Sequence, residues 1–166
     1  MKTTVTKVVR AFLMTAGFVW VWRRSGTGAP MERIGIPQDG KLDKSEDLWR
    51  ELLTAEQFYV TRRKGSEPAF SGADWNEKKD GIYRCVCCGQ QLFQASAKFD
   101  SGTSCPSFWK PVDENNIFLH AAHVLILSGT EVTCSRCDAH LGHVFNDGPA
   151  PTGLRYCMNS AALKFV

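Results

Sequence analysis

Two short turns constrain this chain more than anything else in it. Cys85-Val-Cys-Cys88-Gly89 and Cys134-Ser-Arg-Cys137 each carry a C-x-x-C pair, and 45 residues separate them. Two sulfurs on one tight turn fill two corners of a tetrahedron, and a second turn completes it, so Cys85, Cys88, Cys134 and Cys137 are candidate ligands for zinc. The separation exceeds that of a small independent finger and suits a staple between two distant hairpins. Four thiolates close the coordination sphere, which makes the metal structural. Gly89 suits a turn that needs a positive φ. Cys87, inside the first turn, is an alternative ligand with poorer spacing. A redox-active C-x-x-C is the other reading, but two such pairs in one small domain are redundant. Seven cysteines is an odd count, so thiols are left over whose reactivity is at issue.

The rest of the chain supports one domain and a tail. At 43% hydrophobic and 22% charged residues, the composition is globular. Residues 1–30 form a tail whose apolar run, residues 11–22, is flanked by Lys7 and Arg10 before it and by Arg23 and Arg24 after it. Twelve residues fit a signal-peptide core and fall short of the roughly 20 that span a bilayer. A signal, a membrane anchor or a disordered extension all fit this tail, so an exported, tethered or cytoplasmic location stays open. Residues 31–44 read as a linker and 45–166 as the folded domain. Residues 1–33 carry six basic side chains against one acid, leaving a net −2 of the chain's +3 for the remainder. A nucleic-acid binder concentrates its basic excess on the folded domain, so nucleic acid is not expected as a partner; membrane contact is expected only through the tail.

Within the domain, Ser45 caps a helical pattern in which Leu48, Trp49, Leu52 and Leu53 form an apolar stripe. Thr54-Ala-Glu-Gln57 has capping-box spacing for a second short helix ending near Gly65. After Pro68, β-rich runs follow at residues 81–85, 117–119, 123–127, 131–134, 154–158 and 163–166. The expected fold is mainly β and antiparallel, with short N-terminal helices.

Three further segments carry chemistry: Phe99–Phe108 with Cys105, His140-Leu-Gly-His143, and Arg155-Tyr-Cys157-Met-Asn159. On a strand, Arg155, Cys157 and Asn159 share one face. Arg155 can favour a thiolate by its charge, and Asn159 can donate a hydrogen bond. An inert core thiol is the alternative for Cys157. His140 and His143, three apart with a glycine between, suggest a turn presenting both rings to one site, where they could donate hydrogen bonds or protons; structural histidines are the plainer reading.

At these residues the sequence resembles the methionine-R-sulfoxide reductases of the MsrB type, from about Leu48 to the C-terminus. The likeness is densest in His140-Leu-Gly-His-Val-Phe145, Asp147-Gly-Pro149 and Arg155-Tyr-Cys-Met-Asn-Ser160. It implies two antiparallel sheets, with the four-cysteine zinc site away from the chemistry. It also implies Cys157 as nucleophile, with His140, His143, Arg155 and Asn159 around it. The Cys157 thiolate would attack the sulfoxide sulfur of an oxidised protein's methionine. Donors would hold the oxygen, and Cys157 would be left as a sulfenic acid. Reducing equivalents would come from thioredoxin or a similar thiol, and the enzyme is expected to be a monomer.

Two departures from the family pattern stand out. Where the family usually reads S-G-x-G-W-P-S-F, this chain has Ser101-Gly-Thr-Ser-Cys105-Pro-Ser-Phe108. The usual resolving position is therefore Thr103, and a thiol replaces the tryptophan. Cys105 becomes the first choice to condense with the Cys157 sulfenic acid, and direct attack by thioredoxin the second. A two-residue shift moves an extended chain by roughly 7 Å, so a Cys105–Cys157 disulfide is expected to need movement of the loop bearing Gly102 and Ser104. The stretch His120–Thr130 also lacks the usual acidic and Arg-Thr-Glu-Val pattern, with Gly129 where arginine is expected. Two other classes remain: a zinc-braced β binding module without catalysis, and a different thiol enzyme such as a peroxide or disulfide reductase.

Overall fold

The computed structural model describes residues 33–34, 40–68, 70, 72, 77–120 and 129–166. The apolar run of the tail and the expected strand at 123–127 lie outside the described residues. Helix α1 (Glu46–Leu52) starts at Ser45, whose hydroxyl accepts from Leu48 N. Helix α2 (Ala55–Arg63) starts at Thr54 with the full capping box to Gln57. It stops at Lys64, which turns left-handed at φ 56°. The apolar stripe of α1 is narrower than expected. Trp49 is buried at 1% exposure and Leu53 closes the helix, whereas Leu48 and Leu52 are 37% and 57% exposed. A seven-residue helix turns only one ridge to the core, and Trp49 fills it.

Among the described residues there are ten short strands: β1 (Arg33–Ile34), β2 (Ile82–Cys85), β3 (Gln91–Gln94), β4 (Lys98–Phe99), β5 (Ser107–Phe108), β6 (Ile117–His120), β7 (Thr130–Cys134), β8 (His140–Phe145), β9 (Arg155–Met158) and β10 (Leu163–Phe165). They build two antiparallel sheets. One has the order β1-β6-β7-β8-β9-β5-β4 and the other β10-β2-β3. Strand β1 falls inside the segment read as a linker. Among the described residues, no helix is long and apolar enough to cross a membrane.

Aromatic side chains join the two sheets. Phe93 of β3 stacks on Phe108 of β5 at 4.5 Å between centroids, Tyr83 of β2 meets Phe108 edge-on at 4.9 Å, and Phe93 approaches Tyr156 of β9 at 5.7 Å. All four are buried. Each such ring removes about 150–250 Å² from water, roughly 4–6 kcal/mol at ~25 cal/mol per Å². Of the strands they anchor, β9 carries Cys157 and β5 begins two residues after Cys105.

Candidate functional site

The two knuckles are the same turn built twice. Gly89 N–H donates to Cys85 O and Asp138 N–H to Cys134 O, each four residues on, at 2.8 and 2.9 Å. Gly89 and Asp138 both have positive φ, 76° and 55°. Glycine reaches that region without strain, and aspartate is among the residues that tolerate it. The Gln90 amide ties one knuckle to the other by donating to Asn116 O and Ser135 Oγ. The sulfurs of Cys85, Cys88, Cys134 and Cys137 lie within 4.8 Å of one another, with Cys85–Cys137 at 3.7 Å and Cys88–Cys134 at 3.6 Å. A metal with ~2.3 Å bonds to four tetrahedral sulfurs sets them roughly 3.8 Å apart, so the donor set fits such an ion. The crowding splits the thiols. Bonds from Cys134, then Cys137 and Cys85, drive Cys88 toward thiolate, while bonding to Cys134 and Cys137 pushes Cys85 up. These four cysteines are free thiols whose sulfurs converge on one centre.

The remaining chemistry centres on β8 and β9. Along β9, Tyr156 and Met158 face the core, while Arg155 and Cys157 are half-exposed on the other face. Cys157 pairs across β8 with His143 and across β5 with Ser107. Directly opposed Cβ atoms in such pairs sit roughly 4.5–5.5 Å apart. Cys105 is bonded to Cys157 with Cα atoms 5.6 Å apart. This is the bonded arrangement that the loop bearing Gly102 and Ser104 was expected to reach. Residues 100–106 bend instead of running extended, with Gly102 at φ 68°, and the bend takes up the two-residue shift. A groove of about 330 Å³, lined by Glu77, Lys98, Asp100, Ser101 and Thr103 among others, has Cys105 in its wall.

The histidines lie on a strand, not in the turn expected from their spacing. Residues three apart on a regular strand face opposite ways. Here β8 is irregular: His140 pairs with Thr133, Gly142 with Val132 and His143 with Glu131, so Leu141 is the extra residue of a bulge. The bulge returns His140 and His143 to one face, with ring centroids 5.4 Å apart. Gly142 is required where β8 crowds β9, because a Cβ there would collide with the Cys157 carbonyl oxygen. Burial, with the neighbouring His140, holds the His143 pKa below its ordinary value, so its ring is neutral at pH 7.

Arg155 and Asn159 are already committed to protein partners. The Arg155 guanidinium donates from Nε and Nη2 to the two carboxylate oxygens of Asp147 at 2.8 and 2.9 Å, and lies 4.4 Å from the Phe145 ring. This pairing holds the Asp147 carboxyl below its usual range. Asn159, one residue past β9, donates its side-chain amide to Leu141 O and accepts from Glu67 N–H. Glu67 also accepts from Ser160 and Ala161 N–H, at 2.8 and 3.0 Å. Sequence reasoning missed Glu67, Glu131 and Asp147. Asp147 sat in a motif already singled out, eight residues before Arg155 across a hairpin, and opposite charges at that separation were the available signal.

Residues 53–166 match the SelR domain. The chain is 54% identical over 129 residues to the peptide methionine sulfoxide reductase MsrB of Synechococcus sp. (strain RCC307), covering 76% of this chain and 93% of that protein. It is 54% identical over 131 residues to the protein of the same name from Pseudomonas aeruginosa (strain PAO1), covering 76% and 96%. Against the chloroplastic peptide methionine sulfoxide reductase B1 of Oryza sativa subsp. japonica, identity is 53% over 120 residues, covering 72% and 56%. With a family match across most of its length and relatives of this identity covered almost end to end, the chain belongs to the SelR-domain family.

Proposed function

We propose that the protein reduces methionine-R-sulfoxide in oxidised proteins to methionine, using Cys157 as nucleophile and Cys105 as the thiol that regenerates it. The observation that carries this reading is the position of Cys157: opposite the neutral ring of His143 on one side and bonded to Cys105 on the other. His143 takes the thiol proton, and the Cys157 sulfur attacks the sulfoxide sulfur. The oxygen passes to Cys157 with the proton returned to it, methionine leaves, and Cys157 becomes a sulfenic acid. His140 and Asn159 belong to the donors around that oxygen, and Arg155, held by Asp147, supplies positive charge on the Cys157 face. The Cys105 thiol then displaces water and forms the disulfide. A protein dithiol of the thioredoxin type reduces it, becoming a disulfide itself.

The metal held by Cys85, Cys88, Cys134 and Cys137 is zinc in this proposal. All-sulfur tetrahedral coordination suits it and leaves no open position for substrate. It braces the fold and takes no part in these steps.

Turnover of separated sulfoxide epimers by Cys157→Ser tests the reading. The variant should lose reduction of the R epimer and keep its zinc. Normal turnover by the variant, or a wild-type preference for the S epimer, would overturn the assignment.

A further inference from the structure

Behind the histidine pair lies a carboxylate that the proposed reaction does not use. Glu131 stands on β7 opposite His143, on the same face as Thr133 opposite His140. One carboxylate oxygen is 2.9 Å from His140 Nδ1, and the other is 2.8 Å from Lys64 Nζ at the end of α2. The Glu131 side chain is 14% exposed and that of His140 4%. Contact with His140, then Lys64, outweighs burial and brings the Glu131 carboxyl down from an ordinary 4.5 to about 2. Glu131 is therefore ionised throughout the physiological range and can only accept hydrogen bonds.

We propose that Glu131 is a positioning residue, which fixes His140 as the Nδ1–H tautomer and orients its ring beside His143, with Lys64 holding the carboxylate in place. The inference rests on His140 acting as proposed above. An acceptor-only partner at Nδ1 requires the hydrogen to be there, so the neutral ring presents a lone pair at Nε2, its far edge. His140 then acts as the donor named above from Nε2 once that nitrogen has taken up a proton, with the Glu131 carboxylate balancing the charge. Facing this pair are Lys64, His143 and Cys157. The same loop that ends α2 also carries Glu67 to Asn159, so one short segment supports both groups from behind.

The test combines histidine nitrogen NMR with single-turnover release of methionine, in the metal-loaded full chain. In the wild type, the His140 resonances should show the Nδ1–H form. In Glu131→Gln, whose neutral amide can turn either its oxygen or its nitrogen to the ring, that pattern should be lost or mixed. Methionine release should slow about tenfold to a hundredfold, as when outer partners of metal-bound histidines are removed, with KM for the sulfoxide little changed. Lys64→Met, at an exposed position, should shift both readouts the same way by less and guards against misfolding in the first variant. An unchanged tautomer or an unchanged release rate in folded Glu131→Gln overturns the proposal. His140→Ala separates the two readings: if it releases methionine at the wild-type rate, His140 is no donor, whereas the NMR still reports whether Glu131 holds its ring.

Discussion

The protein keeps cysteines at two places, and it treats them in opposite ways. At the knuckles, two copies of one turn aim four sulfurs at a common centre, and the spacing that does so is local, three residues within each pair. Where β5 pairs with β9, two sulfurs 52 residues apart meet only because strands pair, and they are bonded to each other. The first arrangement crowds four thiols into a set that could hold a metal ion. The second leaves one sulfur with one partner, as the proposed redox cycle requires. The two places are still connected. Cys134 ends β7 one residue after Thr133, which pairs with His140, so the knuckle adjoins the strand pair that carries both histidines.

The sharpest way to break this contrast is to remove one sulfur from each end. Cys134→Ser should lose metal, solubility and activity together, because metal binding at four-thiolate sites contributes roughly 10–16 kcal/mol in small zinc peptides. Metal analysis and thermal unfolding read it, and a metal-free variant with full activity would show the knuckles to be dispensable. Cys105→Ser should do the reverse. It should keep fold and metal and release one methionine per enzyme, yet recycle with thioredoxin at least about tenfold more slowly, since an internal thiol has a high effective concentration. Multiple-turnover rates equal to wild type would mean that external thiols reach Cys157 directly.

The same contrast explains what could be read without coordinates. The knuckles were legible because their geometry is encoded within four residues. The Cys157 strand was legible because its period-2 pattern matches the observed alternation of burial. That His140 and His143 reach one site was legible, but the means was not: a turn was expected, whereas a bulge at Leu141 does it, and one extra residue reverses every facing that period-2 counting assigns. Cys105 was placed too far from Cys157 because an extended chain was assumed where the loop bends. Glu131 was passed over because an acid in a β-run ordinarily marks the solvent side, whereas here a lysine and a histidine satisfy both its oxygens. On α1, the i, i+4 repeat matched Leu48 with Leu52 as well as it matched Trp49 with Leu53, and only packing could choose between them.

Gly142 lies at the Cys157 end of the molecule, on the strand paired with β9. Its missing side chain lets β8 lie against the Cys157 carbonyl and the Met158 Cα. Gly142→Ala should force the strands apart at a cost of about 1–3 kcal/mol, as for overpacking elsewhere, and should slow methionine release while leaving the metal bound. Unfolding midpoints and single-turnover rates measure both. Wild-type values for both would show that the close approach is not needed.

The smallest expected effect concerns acid. The Glu131 carboxyl is depressed in the folded protein, from 4.5 to about 2. A depressed carboxyl stabilises the fold above its unfolded value, and that contribution is lost as pH falls toward the folded value. The stability difference between wild type and Glu131→Gln should therefore be constant above about pH 5.5 and close progressively between about pH 5 and pH 2. Acid also protonates the knuckle thiols and releases metal, but wild type and variant share that loss, so it cancels in the difference. Urea unfolding of both proteins from pH 7 down to pH 3 makes the measurement. The residual exposure of Glu131 and its contact with the solvated Lys64 keep the difference modest. A difference that widens toward acid would mean that Glu131 is not held as a carboxylate, and His140 would then lose the partner that orients it.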